Sequence, residues 1–324
     1  MKKILSVLVL AVVFFALLVW LRQPHAIYQE KFFLMDTIVE IMASGKEDES
    51  MSAINAAHKE LKRIDARLGY NNSLVTGLNT THKANDKELY ALIQYGMDIN
   101  KLSHGAFSLS LRPILDAWGF SGTHPYRIPT DAEFIKWKRS KRDNGIHLGN
   151  DGTIVIIDKG VGIDVGGLAE GYGVDKAVAL MRALGIKTGL INAGGDIMCF
   201  GNRTWRIGIK HPRASGVFAT VPLKDKAIAT SGDYERYFIQ DGKRYSHILD
   251  PQTGWPAARY MSVTIIAPTC RQADAWSTAV AVMGIDKAKH MLEEKGVEWI
   301  VIDLSGKVQT SPHLKKYCPD NIKP

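Results

Sequence analysis

The chain has 324 residues, of which 46% are hydrophobic and 23% are charged, and this composition is typical of a globular protein. The formal net charge of +8 is modest, and no aromatic platform or known binding motif accompanies the basic residues, which argues against a nucleic-acid partner. Three cysteines are too few for a disulfide framework, and no Cys or His cluster has zinc-ligand spacing.

The N-terminus has the pattern of an export signal. Lys2 and Lys3 precede an uncharged, mostly apolar run over residues 4–21, which Arg22 follows. The run is long for a signal peptide and short for a membrane span, so residues 1–26 are either a cleaved signal or an uncleaved anchor. Both alternatives place residues 27–324 outside the cytoplasm, in the periplasm or at the periplasmic face of the inner membrane.

The first half of the exported part alternates strand and helix patterns. Residues 32–44 have the β-branched and aromatic content of one strand, and residues 50–68 carry apolar side chains at helical spacing. A second helix is predicted from Asp86 to Leu102, a short strand over residues 152–158, and a helix over residues 169–184.

Hairpins dominate the last third of the chain. Residues 204–210 alternate strictly, and residues 234–250 read as a hairpin that turns at Asp241-Gly242. A strand over residues 261–267, helices from Ala273 and near Asp286, and a hairpin about Ser305-Gly306 follow. Hairpins mixed with helices predict an α+β fold with largely antiparallel sheets and packed helices, and no linker divides residues 27–324.

An acid and a hydroxyl stand four residues apart at the head of the late helix. Asp274 and Thr278 share one helix face, so both oxygens could bind a single hard cation such as Mg²⁺. The alternative is helix capping, because a carboxylate near a first turn satisfies free backbone N–H groups. The local pattern leaves both interpretations open.

Two glycine pairs follow apolar strands. Gly166-Gly167 leads directly into a helix N-terminus, and Gly194-Gly195 ends another strand, so backbone N–H groups could approach a phosphate at either pair. Neither segment has the spacing of a dinucleotide-binding fingerprint or of a P-loop, and turns alone are the alternative.

Five motifs in order resemble those of the FAD:protein FMN transferases, the ApbE-like family. The motifs are Asp164-Val165-Gly166-Gly167-Leu168-Ala169-Glu170-Gly171, Asn192-Ala193-Gly194-Gly195-Asp196, Ser231-Gly232-Asp233-Tyr234-Glu235-Arg236, His247-Ile248-Leu249-Asp250-Pro251 with Thr253-Gly254, and Ala273-Asp274 with Thr278. The resemblance extends from about Phe33 to the last helices, and it implies a single catalytic domain of this kind over residues 27–324.

The resemblance implies a Mg²⁺-dependent enzyme whose substrate is FAD. Such an enzyme joins the FMN half to a Thr or Ser hydroxyl of another protein by a phosphoester bond and releases AMP. The acceptors are usually exported or membrane-associated redox subunits. The metal ligands carried over are the backbone carbonyl of Ala169, the carboxylate of Asp274 and the hydroxyl of Thr278.

Flavin contacts and a base are also carried over from the family. The contacts fall on Met35, Tyr70, Ala106, Phe107, Ser108, Gly166, Tyr172 and Ile248. His247 is the candidate for activating the acceptor hydroxyl, with orientation of the flavin as the alternative. With an unperturbed pKa near 6.5, this histidine would make the rate rise with pH through that value.

Three positions depart from the family pattern. Glu170 stands where many members have Lys, Asp36 replaces the usual Gly, and Ser108 replaces an Asp. The same site could instead hydrolyse FAD to FMN and AMP, or hold flavin without cleaving it, whereas a purely structural module would need no such polar set.

Overall fold

The computed structural model describes residues 26–70, 72–122, 124–140 and 142–322. The signal or anchor predicted for residues 1–26 therefore lies, but for its last residue, outside the described part of the chain. Within the described part, no helix is both long enough and apolar enough to cross a membrane.

An antiparallel sheet of eight strands forms the centre of the fold. In spatial order the strands are β1 (Ile27–Leu34), β2 (Thr37–Ser44), β6 (Thr188–Ala193), β7 (Asp196–Phe200), β10 (Lys226–Gly232), β13 (Tyr260–Ala267), β14 (Glu298–Asp303) and β15 (Val308–Thr310). The predicted α+β class, with largely antiparallel pairing, is confirmed.

One predicted strand is in fact a hairpin. The single strand expected over residues 32–44 is wrong, because β1 and β2 turn tightly at Met35 and Asp36. Both turn residues have φ of 56°, the left-handed conformation that a two-residue hairpin turn requires. Gly and Asn normally signal such a turn, and Met35 gives no such signal.

Three helices cover one face of the sheet: α1 (Glu47–Leu68), α6 (Gly166–Ala183) and α7 (Cys270–Met283). Of the predicted apolar positions of α1, Ile54, Leu61 and Ile64 are fully buried, as their 3.6-residue spacing requires, and Met51 is partly buried. The other helices are α2 (Leu74–Thr81), α3 (Lys87–Leu102), α4 (Arg112–Trp118), α5 (Asp131–Arg139) and α8 (Ile285–Glu294).

Three smaller sheets complete the fold. They are β3 (Lys83–Asn85) with β5 (Thr153–Ile156) and β4 (Ile146–Leu148), β8 (Trp205–Lys210) with β9 (Val217–Leu223), and β11 (Tyr237–Gln240) with β12 (Lys243–Ser246). The pair β8–β9 closes a second core against the main sheet, and β11–β12 joins α4 and α5 in a third, aromatic core. The hairpins predicted at Asp241-Gly242 and Ser305-Gly306 are confirmed.

Candidate active site

The first turn of α6 is where the predicted flavin and metal residues come closest. Asp164 Oδ1 accepts a 3.0 Å hydrogen bond from Gly166 N, and this turn directs the chain into the helix. A Cβ added at Gly167 would lie 3.1 Å from Phe107 Cε2 and 3.3 Å from Thr278 Oγ1. The glycine thus lets the side chains of Phe107 and Thr278 approach the same backbone position closely.

Gly171 brings α6 and α7 into backbone contact one turn later. A Cβ at this position would lie only 2.6 Å from the carbonyl oxygen of Cys270. The carboxylate of Asp175 accepts hydrogen bonds from Cys270 N and Arg271 N, at 2.8 and 3.1 Å, so α6 also caps the start of α7. The two helices therefore fix each other in register.

Asp274 is not a helix cap. The helix begins at Cys270, where the side chain of Thr269 accepts from Gln272 N, so Asp274 lies in the second turn. It is 8% exposed, and its Oδ2 accepts a 3.3 Å hydrogen bond from Gly171 N of α6. The capping alternative is wrong, because the predicted start at Ala273 placed the helix three residues too late.

A second buried carboxylate faces Asp274. Asp196, at the start of β7, is 9% exposed, and its carboxyl group lies within hydrogen-bonding reach of that of Asp274. Burial first, and then the charge of neighbouring acids, raises the pKa of both groups well above the ordinary value for aspartate. Asp196 Oδ2 has no hydrogen-bond partner among the described residues.

These oxygens fit a hard cation. Buried carboxylate oxygen, a hydroxyl and a nearby backbone are the donors that Mg²⁺ accepts, and an unpartnered buried oxygen needs a positive partner. The described residues contain no cluster of three or more His, Cys, Asp or Glu side chains arranged around a metal position. The predicted ligands are one carboxylate, one hydroxyl and one backbone carbonyl, so they would not form a cluster of three such side chains.

The hydroxyl of Thr278 belongs to a short chain of hydroxyls. Ser231 Oγ, at the end of β10, lies 2.7 Å from Ser277 Oγ and 3.3 Å from Thr278 Oγ1. Ser277 Oγ in turn donates to the carbonyl oxygen of Asp274. The Ser231 motif thus holds the hydroxyl face of α7 in place.

Tyr70 lies between two arginines at the other side of the α6 turn. Its ring centroid is 5.2 Å from Arg112 Cζ and 5.9 Å from Arg236 Cζ, and its hydroxyl would lie 3.1 Å from a Cβ at Gly166. Burial, followed by the charge of Asp164, raises the pKa of Tyr70, so the phenol stays protonated.

Position 170 is Glu where many family members have Lys, and Arg236 provides a positive charge near it instead. Its side chain is exposed, and its charge acts on Tyr70, Glu170 and His247. Burial raises the pKa of Glu170 to about 7, and Arg236 opposes that rise. An anion bound here would meet a guanidinium.

His247 has a defined tautomer. Nδ1 lies 3.2 Å from the carbonyl oxygen of Arg236, and a carbonyl only accepts, so Nδ1 carries the proton and Nε2 offers its lone pair. The ring packs edge-on against Phe120, with centroids 6.4 Å apart. Burial, followed by the charge of Arg236, lowers the pKa of His247 to about 3, so the expected titration near 6.5 is wrong for the free protein.

Ser108, which replaces the Asp of the family pattern, lies beside a carboxylate from another loop. Ser108 Oγ donates a 2.7 Å hydrogen bond to Asp143 Oδ2, and Leu109 N donates to Asp143 Oδ1 at 2.9 Å. Ala106 and Phe107 precede it in a turn that Ser103 holds, since Phe107 N donates to Ser103 Oγ at 3.0 Å. Asp143 lies in no recognised motif and gave no sequence signal.

Three further predicted contacts make hydrogen bonds to neighbouring residues. Met35 occupies the β1–β2 turn, and its backbone N–H donates to Asp65. The hydroxyl of Tyr172 donates to Glu88 Oε1 at 2.9 Å, so its donor is already used. Ile248 is buried, and its carbonyl accepts from Ala257 N at 2.8 Å.

Comparison with known proteins gives a consistent family assignment. The sequence profile of the ApbE family matches residues 35–301. The chain is 34% identical over 243 residues to the FAD:protein FMN transferase of Vibrio cholerae, covering 72% of this chain and 70% of that one. It is 29% identical over 312 residues to the FAD:protein FMN transferase of Treponema pallidum, covering 89% and 80%.

Solved structures agree with the sequence comparison. The crystal structure of the ApbE protein from Thermotoga maritima superposes with a TM-score of 0.85 at 33% identity, covering 91% of this chain and all of that one. The flavin transferase ApbE from Vibrio cholerae gives a TM-score of 0.78 at 25% identity, covering 91% and 100%.

Proposed function

We propose, from the premise that this chain belongs to the ApbE family and is an FAD:protein FMN transferase, that it transfers FMN to a Thr or Ser hydroxyl of an exported or membrane-associated redox protein and releases AMP. The observation that carries the proposal is the meeting of Phe107, a predicted flavin contact, and Thr278, a predicted metal ligand, at Gly167. FAD carries its flavin and its diphosphate on one ribityl chain, so adjacent flavin and metal contacts fit a single bound FAD.

Ala169, Asp274 and Thr278 are the proposed Mg²⁺ ligands. When bound, Mg²⁺ would neutralise charge on the diphosphate, as it does in other phosphoryl transfers. Arg236 binds a diphosphate oxygen. Tyr70 and Phe107 flank the flavin portion, together with Met35 and the remaining predicted contacts.

His247 is the proposed base. Nε2 takes the proton from the acceptor hydroxyl as its oxygen forms a bond to the phosphorus on the FMN side. The P–O bond to AMP breaks, and its electron pair leaves on the AMP phosphate. The incoming diphosphate also offsets the charge of Arg236, which raises the affinity of Nε2 for the proton at the moment it is needed.

The test is a product analysis with the full-length protein, FAD, Mg²⁺ and a candidate acceptor. Protein-bound flavin with AMP is the result expected. Free FMN with AMP would identify an FAD pyrophosphatase, and unchanged FAD would identify a binding protein. Omission of Mg²⁺ should abolish AMP release.

A further inference from the structure

Asp196 performs none of the structural tasks that an aspartate beside a tight turn usually performs. The β6–β7 hairpin turns at Gly194 and Gly195, and the free N–H of Gly195 donates to Asn192 Oδ1 at 3.0 Å. Asn192 therefore accepts the hydrogen bond of the turn, and the side chain of Asp196 does not serve as the turn acceptor.

The other donors near Asp196 are also engaged. Gly171 N donates to Asp274, and the first N–H groups of α7 donate to Asp175. Among the described residues, no salt bridge involves Asp196 or Asp274. Asp233 is 9% exposed, like Asp196, but Arg213 donates hydrogen bonds to both of its carboxylate oxygens at 2.7 Å.

We propose that Asp196 is a second carboxylate of the cation site, beside Asp274. Two buried carboxyl groups in contact need a shared proton or a cation, and Oδ2 of Asp196 is the oxygen left without any partner. Oxygen donors of this kind select a hard divalent cation. The inference rests on the proposed function only for the identity of the ion as Mg²⁺.

The two carboxylates come from different layers of the fold. Asp196 begins β7 of the central sheet, and Asp274 lies in the second turn of α7 above it. An ion held by both joins sheet and helix before any nucleotide arrives. The site therefore binds a divalent cation in the absence of FAD.

The experiment titrates Mn²⁺ into the full-length protein without FAD or acceptor and follows free Mn²⁺ by electron paramagnetic resonance. The wild type should bind Mn²⁺, and Asp196→Asn should weaken binding about tenfold or more. Asp233→Asn is the matched control, because it makes the same change at the same burial beside an arginine, and it should leave the Kd for Mn²⁺ unchanged.

A second readout separates a ligand from a structural residue. The amide of Asp196→Asn can donate to Asp274, so the metal-free variant should melt at or above the wild-type temperature while losing the rise that Mg²⁺ gives the wild type. The losses in Asp196→Asn and Asp274→Asn should be less than additive, because both residues act on one ion.

Three results would overturn the proposal. These are an unchanged Kd in Asp196→Asn, a metal-free variant that melts below the wild type, and a wild type that binds no Mn²⁺ without FAD. Because no flavin enters the titration, a failure of the proposed transfer reaction would leave this result unaffected.

Discussion

At the scale of single residues, His247 combines a fixed tautomer with a lone pair that faces no described donor. The Arg236 carbonyl holds the proton on Nδ1, so only Nε2 is available for proton transfer. Burial, and then the same guanidinium that favours a bound phosphate, lowers the pKa of His247 and keeps the imidazole neutral. Substrate binding and readiness of the base are thereby connected through one side chain.

Replacing His247 by Asn tests the role of the base. His247→Asn should retain FAD affinity, because the amide still hydrogen-bonds, and should lower the transfer rate by roughly 10²-fold or more, the usual scale of general base catalysis. Fluorescence quenching measures FAD binding, and covalent flavin on the acceptor measures transfer. Equal losses of binding and rate would assign His247 to flavin positioning instead.

The pH profile of the wild type gives an independent check. A histidine whose pKa is lowered to about 3 is neutral throughout pH 5 to 9, so protonated His247 should not lower kcat/KM at the acidic end of that range. Comparing wild-type and His247→Asn profiles isolates this residue, since an inflection near pH 6.5 that vanished in the variant would contradict the lowered pKa.

At the scale of elements, the register of α6 against α7 determines the metal side of the site. Gly171 permits backbone contact with Cys270, and Asp175 and Asp274 each cross between the two helices. A shift of either helix would move Asp274 relative to Ala169. The site therefore depends on close helix packing as much as on its ligands.

Gly171→Ala should disturb this packing. The added Cβ meets backbone atoms of Cys270 and Arg271 at 2.6 and 2.8 Å, which side-chain rotation cannot relieve, so a stability loss of about 1–3 kcal/mol is expected together with weaker Mg²⁺ binding. Urea unfolding with and without Mg²⁺ measures both effects.

Gly77→Ala, in α2, is the matched control. A Cβ there has no atom within 4 Å, so the change should stabilise the protein by about 0.5–1 kcal/mol through helix propensity alone. Full stability and normal Mg²⁺ affinity in Gly171→Ala would show that the helices can separate without cost to the site.

The elements themselves were largely predictable, but their tertiary partners were not. The 3.6-residue period of apolar residues predicted α1, and Asp241-Gly242 predicted the turn of the β11–β12 hairpin, because both signals are local. The turn at Met35-Asp36 escaped detection since Met35 gives no turn signal. Arg236 and Asp196 lie inside the family motifs, yet only the fold shows which residues surround them. Asp143 contacts Ser108 although the two are 35 positions apart in the sequence.

At the scale of the whole molecule, two of the three cores support the active centre. The helices over the sheet carry the metal side, and the aromatic core of α4, α5 and β11–β12 supports His247 through Phe120. We propose that residues 27–324 act as one exported catalytic domain in the periplasm or at the periplasmic face of the inner membrane. The acceptors proposed above would be found in that compartment.

The fate of the N-terminal segment can be measured directly. If residues 1–26 remain as an anchor, the full-length protein should sediment with membranes, and detergent should release it. N-terminal sequencing of the mature protein distinguishes the alternatives, because a soluble species that starts near Ile27 would establish cleavage. Recovery in the cytoplasmic fraction would contradict export.

The most direct test of the account is the intact mass of an acceptor after incubation with FAD, Mg²⁺ and the full-length enzyme. The account predicts a mass gain of one FMN less one water, removed by changing the acceptor Thr or Ser to Ala, with one AMP released for each flavin attached. An acceptor of unchanged mass alongside equal amounts of free FMN and AMP would contradict transfer and show that water, not the protein hydroxyl, receives the phosphoryl group.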